Sequence, residues 1–212
     1  MHYALVILIA LVLGCGAGEP LLVQEVKTVS GHLRYQAANG TVTADLVMPD
    51  STRQVPGMMG NTMEPLDGLP GRRFRYTAVR DLPELVRFTV NVQEEPTIFS
   101  FVTHGIYIDS LPDSLYRDRS VNFPVADRGL TERESLVIFF EPGDRSTPRR
   151  ILVSGPTSSG VVSLPPQAVD DIAPGNYEVY FVKQRLFKDQ IGTTKASIQT
   201  EYFTQSKDVV VQ

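Results

Sequence analysis

The chain has 212 residues, of which 42% are apolar and 21% charged, and its formal net charge at pH 7 is −4. This composition is typical of a globular protein long enough to bury a core, and it lacks the basic face that a nucleic-acid-binding protein requires. Cysteine occurs once, which excludes an intramolecular disulfide, and tryptophan, the usual residue of flat carbohydrate-binding platforms, is absent.

The first segment is an apolar run from Tyr3 to Leu13 that ends shortly before the single cysteine, Cys15. Its length matches the hydrophobic region of a signal peptide and is too short to span a bilayer, which takes about 20 residues. The residues Val12-Leu13-Gly14-Cys15 resemble the lipobox of bacterial lipoproteins. The alternative is an ordinary apolar N-terminus in which the cysteine is incidental.

The resemblance implies transfer of a diacylglyceryl group to the Cys15 sulfur and cleavage after Gly14. Residues 1–14 are then the signal peptide and 15–20 a lipidated tether. Gly16 stands where some lipoproteins carry the aspartate that retains them at the inner membrane, so the resemblance favours the outer membrane in a cell with two membranes. Two or three acyl chains form a stable membrane anchor, because each buried methylene contributes about 0.8 kcal/mol.

The rest of the chain predicts short β-strands between glycine- and proline-containing turns. Apolar and polar residues alternate over 42–48 and 86–92, which indicates half-buried strands, whereas residues 136–140 are apolar on both faces and suit a central strand. Further strands are predicted over 177–181 and 196–202. Strands this short and closely spaced favour an all-β fold of antiparallel β-sandwiches over a parallel sheet.

Two tandem immunoglobulin-like sandwiches are predicted, an N-terminal domain over 21–112 and a C-terminal domain over 120–212. The segment 111–120 is polar, contains a proline and lies between two strand-rich halves, so the domain boundary is expected there. One larger sandwich is the alternative.

A similarity between two segments of the chain supports the prediction of two domains. Residues 67–76 and 171–180 both run from a Pro-Gly turn into a strand led by an aromatic residue. Tyr177 is similar to the tyrosine that pins the corner of an immunoglobulin-like domain by hydrogen-bonding back to the chain. We therefore expect Tyr177 to have this structural role.

Residues typical of catalytic or metal sites are sparse. Beyond the signal segment the histidines are His32 and His104, and neither has a second histidine or a thiol at metal-binding spacing. The carboxylate pairs at 94–95 and 170–171 lack the alternating oxygen ligands of a calcium loop. The segment 154–160 is rich in Gly and Ser, lacks the lysine of a phosphate loop, and is interpreted as a hairpin loop. We predict no catalytic residue, no metal and no cofactor.

A methionine-rich loop contains Met58, Met59 and Met63. The first interpretation is that these flexible side chains fill gaps in the core, and the second is that they form an apolar contact with a partner. A third hypothesis is a Cu(I) site, since thioether sulfur is a ligand for this soft ion.

A second candidate surface is the segment 185–195, interpreted as an exposed loop between two long strands. Its apolar residues are Leu186, Phe187 and Ile191, and loops at the ends of sandwiches often carry recognition. The alternative is a long twisted hairpin whose apolar residues cap the core.

Together these observations favour a lipid-anchored protein of the cell envelope with a non-enzymatic binding or structural role. We expect it to contact another envelope protein through loops or edge strands. The alternative is binding of a glycan or another small ligand, and an envelope hydrolase is a third hypothesis. Exposed tyrosines would favour a glycan, converging Asp, Glu or His side chains an enzyme, and an unpaired edge strand a protein partner.

Overall fold

The computed structural model describes the chain except for residues 1–24, 51, 53, 93–95 and 145–146. The described chain is nearly all β, as the sequence predicts, with one helical turn at Pro166–Val169. Within these residues, no helical segment has the length and hydropathy of a membrane span. Cys15 and the predicted signal peptide lie outside the described residues.

The described strands are numbered in chain order. Their bounds are β1 Lys27–Gln36, β2 Thr41–Met48, β3 Gly57–Met58, β4 Asn61–Thr62, β5 Glu64–Leu66, β6 Arg72–Val79, β7 Leu85–Asn91, β8 Pro96–Val102, β9 Ser114–Leu115, β10 Val121–Pro124, β11 Glu134–Pro142, β12 Arg149–Ser154, β13 Val161–Leu164, β14 Gly175–Ile191, β15 Thr194–Phe203 and β16 Lys207–Val211.

One large sheet runs through both halves of the chain. Its strands lie in the order β12-β11-β14-β15-β1-β2-β6-β5, with β16 beside β14 and β9 beside β16. Two smaller sheets have the orders β4-β3-β7-β8 and β10-β13. Among the described strands the pairs are antiparallel, except that β1 is parallel to β15 and β9 is parallel to β16.

The predicted periodicities are confirmed in the strands that form the sheets. In β2 the side chains of Val42, Ala44, Leu46 and Met48 are at most 3% exposed, while the residues between them are half-buried. Strand β11 lies between β12 and β14; one of its faces is buried from Glu134 to Phe140, and on the other Val137 is buried and Phe139 half-buried, which agrees with its unbroken apolar run. The β-sandwich class therefore follows from the sequence pattern.

Two hydrophobic cores lie against the large sheet. In the first, strands β1, β2 and β6 pack against the four-stranded sheet, with Phe88 and Phe99 among the fully buried side chains. In the second, strands β11, β14 and β16 pack against β10 and β13, with Phe123, Phe140 and Phe181 fully buried. The large sheet is thus one layer of both sandwiches.

The β14–β15 hairpin joins the two cores. Strand β14 has 17 residues; it pairs with β16 over 175–179, with β11 over 177–185, and with β15 over 182–191. Strand β15 pairs in parallel with β1, and its residues Ala196 and Ile198 are buried in the first core. The C-terminal half of the chain therefore supplies a strand to the N-terminal sandwich.

The connection between the two halves is also part of a core. Ile106, Ile108, Leu111 and Leu115 pack in the second core, and β9 pairs with β16. The sequence analysis placed these residues at the end of the first domain and in a polar linker. The burial of these residues could not be predicted from the sequence, because polar residues separate them and they form no periodic apolar run.

Tyr177 pins the start of β14. Its hydroxyl donates a hydrogen bond to the carbonyl oxygen of Ala173 at 2.8 Å, and its side chain is 7% exposed. The ring meets that of Phe140 edge-on, with centroids 6.0 Å apart. This is the backbone contact that the resemblance to a corner tyrosine implies.

Candidate functional site

A groove of about 620 Å³ lies between the two cores. Strands β1 and β15 form its floor, and its walls come from the connections that follow β6, β8 and β10. Its volume is within the range of small-molecule sites, about 300–1,000 Å³. The side chains used below are Tyr35, Asp81, Glu84, His104, Asp127, Arg128 and Tyr202.

Two tyrosines form the floor of the groove. Tyr35 and Tyr202 are register partners in the parallel pair of β1 and β15, and their ring centroids are 4.9 Å apart with the planes inclined by 53°. Burial, together with Tyr35 and Asp81 nearby, raises the pKa of the Tyr202 hydroxyl, which therefore stays protonated and able to donate. A Cβ on Gly105 would lie 3.4 Å from this hydroxyl oxygen, so the glycine keeps the space in front of it open.

The acidic wall is anchored to the end of β8. Asp81 and Glu84 lie in the connection between β6 and β7. The amide of Thr103 donates to the Glu84 carbonyl at 2.6 Å, and its hydroxyl donates to the Pro83 carbonyl at 2.7 Å. These bonds fix the backbone that carries both carboxylates.

A buried ion cluster lies beneath the opposite wall. Glu134, at the start of β11, has a side chain only 1% exposed and receives a bidentate pair of hydrogen bonds from Arg128, at 2.8 and 3.1 Å. The Lys183 ammonium is 3.2 Å from the same carboxylate and 3.2 Å from the carbonyl oxygen of His104, to which it donates. The Thr131 amide donates to Glu134 at 2.8 Å.

These contacts determine the charge states of the cluster. Burial alone acts to raise the pKa of Glu134, but the Thr131 amide, Arg128 and Lys183 together lower it to about 2. Burial lowers the pKa of Lys183, and Glu134 partly offsets that effect. A carboxylate held by two cations fixes the orientation of Arg128, which faces the groove.

His104 is neutral at pH 7. Burial lowers the pKa of its imidazole, and Arg128 and Lys183 lower it further, while Glu134 and Glu84 act in the opposite direction. A neutral imidazole presents one donor and one acceptor nitrogen. His104 therefore adds polarity to the groove without adding charge.

Three glycines fix the wall that carries Asp127 and Arg128. A Cβ on Gly160 would lie 1.9 Å from the Ala126 carbonyl oxygen, and Cβ atoms on Gly129 and Gly155 would lie 2.0 Å from other carbonyl oxygens. The segments 126–131 and 154–160 therefore meet backbone to backbone. The hairpin interpretation of 154–160 is wrong: it connects β12 of the large sheet to β13 of the two-stranded sheet.

Three carboxylates around the groove are available to a ligand. Asp81, Glu84 and Asp127 are exposed, and within the described part of the chain none of these carboxylates has an ion pair or a hydrogen bond. Carboxylates accept hydrogen bonds from hydroxyl groups, and tyrosine rings pack against the apolar faces of small ligands. The groove is therefore suited to a polyhydroxylated ligand and unfavourable for an anion.

The methionines predicted as a contact surface lie mostly inside the protein. Met58 and Met63 are 0% and 1% exposed and belong to the first core, which leaves no side-chain surface for a partner. Met59 is half-buried, has a φ of 49°, and borders a separate groove on the four-stranded sheet. The core-filling interpretation describes the positions of Met58 and Met63.

The segment 185–195 consists of paired strands and not of an exposed loop. Phe187 lies against Phe101 with ring centroids 4.8 Å apart, at the edge of the first core. Leu186 and Ile191 are 39% and 43% exposed. The twisted-hairpin alternative is therefore the arrangement observed.

The other sequence candidates lie away from the groove. Asp170 pairs with Arg117 at 3.1 Å, and His32 lies 3.0 Å from the Glu201 carboxylate. The carboxylates at 94–95 are outside the described residues. Over the residues that are described, no group of three or more His, Cys, Asp or Glu side chains is placed to hold a metal ion.

Sequence reasoning missed most of the groove. The parallel pairing of β1 with β15 brings together tyrosines that are far apart in the chain, and the sequence contains no signal for that pairing. Of the residues that line the groove, the sequence analysis considered only His104, which has no second histidine or thiol at metal-binding spacing. A usable signal was Glu134, a carboxylate at the start of the strongest apolar run, since a charge at such a position needs a partner.

The fold and the site define a β-sandwich protein with two cores and a polar groove floored by tyrosines. No family model and no curated protein matches the chain. Among solved structures it is similar to SGBP-B of the Bacteroides ovatus mixed-linkage glucan utilization locus, solved in complex with a mixed-linkage heptasaccharide. The identity is 12% over 84% of this chain and 43% of that chain, with a TM-score of 0.26.

It is also similar to the I9–I11 tandem from titin, with 9% identity over 85% of this chain and 65% of that chain and a TM-score of 0.22. The chain thus spans less than half of the first structure and less than two thirds of the second. At these TM-scores the comparisons assign neither a family nor a ligand.

Proposed function

We propose that the protein binds an uncharged, polyhydroxylated ligand of the glycan class in the groove between its cores and catalyses no reaction on it. The observation that carries the proposal is the combination of the Tyr35–Tyr202 floor with three unpaired carboxylates in a groove of about 620 Å³. The half-buried Tyr202 offers part of its ring as an apolar face, supported by Tyr35, which is 7% exposed, and the carboxylates accept hydrogen bonds from hydroxyl groups at the rim.

Binding is favoured over catalysis by the surroundings of His104. A general base needs a partner that orients its ring, and the described residues place no hydrogen-bond partner on this imidazole. The contact that does involve His104 uses its backbone carbonyl. The ionised Glu134 is enclosed by Arg128 and Lys183 and so serves to fix the wall.

Blocking the groove tests this proposal. Gly105→Phe places a ring in front of Tyr202, and we expect it to weaken binding of a neutral oligosaccharide by at least about tenfold, which corresponds to 1.4 kcal/mol. A microarray of neutral, acidic and amino oligosaccharides identifies the ligand, and titration calorimetry measures its affinity for each variant.

The matched control is Gly143→Phe, because Gly143 is exposed and a Cβ there has no neighbour within 4 Å. The proposal predicts that neutral sugars bind, that acidic sugars do not, and that only the Gly105 variant loses affinity. Full affinity in Gly105→Phe, or no sugar bound at all, would contradict it.

We also propose that Cys15 carries the lipid that anchors the protein at the cell envelope, on the outer membrane where there are two membranes. The support is the resemblance of Val12-Leu13-Gly14-Cys15 to a lipobox. Cys15→Ala is expected to abolish incorporation of radiolabelled palmitate and to release the protein from the membrane fraction, whereas Gly18→Ala, in the tether, is expected to leave both unchanged. Continued labelling of the cysteine variant would contradict the anchor.

A further inference from the structure

Strand β8 is an edge strand whose protection is confined to the proline at its first residue, Pro96. Exposed sheet edges are normally shortened or carry charges or prolines that prevent another chain from pairing with them. Strand β12 begins with Arg149 and Arg150, β5 is a three-residue strand that contains Glu64 and Pro65, and β10 ends in Pro124. Among the described strands, β8 is the longest edge strand with no charged residue, and its sequence is PTIFSFV.

The open edge of β8 presents the backbone of alternate residues. The Thr103 amide donates to the Glu84 carbonyl at 2.6 Å, which continues the ladder between β7 and β8. In an antiparallel ladder the hydrogen-bonded residues alternate, so Phe101 and Phe99 face β7. The N–H and C=O groups of Ile98 and Ser100 therefore point away from β7, towards the open edge.

The C-terminal end of the β8 edge already has contacts from strand β14. Arg185 donates to the Val102 carbonyl oxygen at 2.6 Å, and Phe187 lies beside Phe101. Within the described residues, Ile98 and Ser100 have no backbone partner on the open side. The free part of the edge therefore ends at Val102.

The outer face beside this edge carries exposed apolar side chains on both sides of a positive charge. Leu85, Ile98 and Val102 are 42%, 54% and 38% exposed, and Leu85 and Ile98 line a groove of about 600 Å³. Arg80 and Arg87 line the same groove, and in the described chain neither guanidinium has an ion-pair or hydrogen-bond partner. In the register of β7 and β8, Arg87 and Ser100 lie between the Leu85–Val102 pair and Ile98, so this face offers a protein partner apolar contacts on both sides of an unpaired charge.

We propose that an extended segment of a partner protein, bearing a carboxylate between apolar side chains, adds to the edge of β8 as a further strand. Main-chain hydrogen bonds to Ile98 and Ser100 hold the segment, and its outward apolar side chains cover Ile98. Its carboxylate pairs with Arg87. The groove beside β8 shares no lining residue with the glycan groove.

The geometry of the sheet makes the charge pair feasible. Arg87 is the cross-strand partner of Ser100, whose small side chain leaves the surface between β7 and an added strand uncovered. Two strand spacings separate the added strand from β7, about 9.6 Å, which the combined length of an arginine and a glutamate side chain spans. A carboxylate opposite Ser100 therefore reaches the Arg87 guanidinium.

Synthetic peptides test the proposal with the purified protein. The test peptide is acetyl-Thr-Val-Thr-Glu-Thr-Val-Thr-amide, the charge control has Lys in place of Glu, and the pairing control is N-methylated at alternate residues. Anisotropy measures the affinity of fluorescent forms, and amide chemical shifts locate the site. We expect shifts at Ile98 and Ser100, and binding of the acidic peptide about tenfold tighter than that of the basic one.

Charge reversal provides the decisive variant. Arg87→Glu is expected to make the basic peptide the preferred one, whereas the matched variant Arg150→Glu, on exposed edge strand β12, is expected to leave the preference unchanged. Loss of binding on N-methylation supports strand addition.

Three results would overturn the proposal. One is equal affinity for the acidic and basic peptides, and another is a set of shifts that avoids β8. The third is concentration-dependent self-association in sedimentation that the peptides compete away and Arg87→Glu leaves intact, which would assign the edge to a second copy of the chain.

Discussion

Replacing Glu134 with Gln is expected to lower the free energy of unfolding by about 3–5 kcal/mol at pH 7. The carboxylate is 1% exposed and neutralises Lys183, itself only 6% exposed, and Arg128. The amide keeps the size of the side chain but leaves the buried Lys183 and the half-buried Arg128 without their counter-charge. Chemical denaturation followed by circular dichroism measures the difference.

The same substitution is expected to change the pH dependence of stability. The folded pKa of Glu134, about 2, lies below its ordinary value of 4.5. The ionised form therefore contributes stability that is fully present above pH 4.5 and is lost as the pH falls towards 2. Wild type should lose this contribution across that window, and Glu134→Gln should lack it.

Glu132→Gln is the matched control, because Glu132 is an exposed carboxylate in the same connection. Its effect is expected to stay within about 0.5 kcal/mol. A loss below about 1 kcal/mol for Glu134→Gln, or an unchanged stability between pH 4.5 and 2, would show that the ion cluster does not hold the wall of the groove.

The strands that build the cores were predictable because burial of their side chains leaves a period of two or an unbroken apolar run in the sequence. The residues Val42 to Met48 and the run at 136–140 are examples. Tyr177 was predictable for a similar reason, since its contact with Ala173 is local in the chain.

The arrangement of the strands was not predictable from periodicity. The pattern in β15 indicates that Ala196 and Ile198 are buried, but it does not indicate which core buries them. The same limit applies to Ile106 and Leu111, which follow the first half of the chain and pack in the second core. The pairing of strands that are distant in the chain depends on how their surfaces fit together, and this fit produces no repeating pattern in the local sequence.

The groove is a consequence of that long-range pairing. Tyr35 and Tyr202 become neighbours only when β15 crosses to the first sandwich, and Lys183 meets Glu134 through the pairing of β14 with β11. Each side chain is unremarkable in its local sequence. A search of the sequence for motifs therefore finds no catalytic pattern and does not detect the groove, which forms only when the distant strands pair.

The crossing hairpin has a measurable energetic consequence. Ile198→Ala is expected to lower the free energy of unfolding by about 2–5 kcal/mol, the usual cost of truncating a buried aliphatic side chain. Ile198 is 1% exposed and packs in the first core although it lies in the C-terminal half of the chain. Hydrogen exchange followed by mass spectrometry measures the loss of stability and shows which strands lose protection.

We expect protection to fall by the same free energy in both cores, since β14 and β15 belong to one continuous sheet and unfolding of either core removes strands from the other. The matched control is Leu186→Ala in the same hairpin, whose side chain is 39% exposed, and its effect is expected to stay within about 0.5 kcal/mol. If β2 kept its protection in Ile198→Ala while β11 lost it, the hairpin would not stabilise the first sandwich. Equal losses in β2 and β11 would mean that the floor of the groove, which this hairpin builds, is as stable as the whole protein.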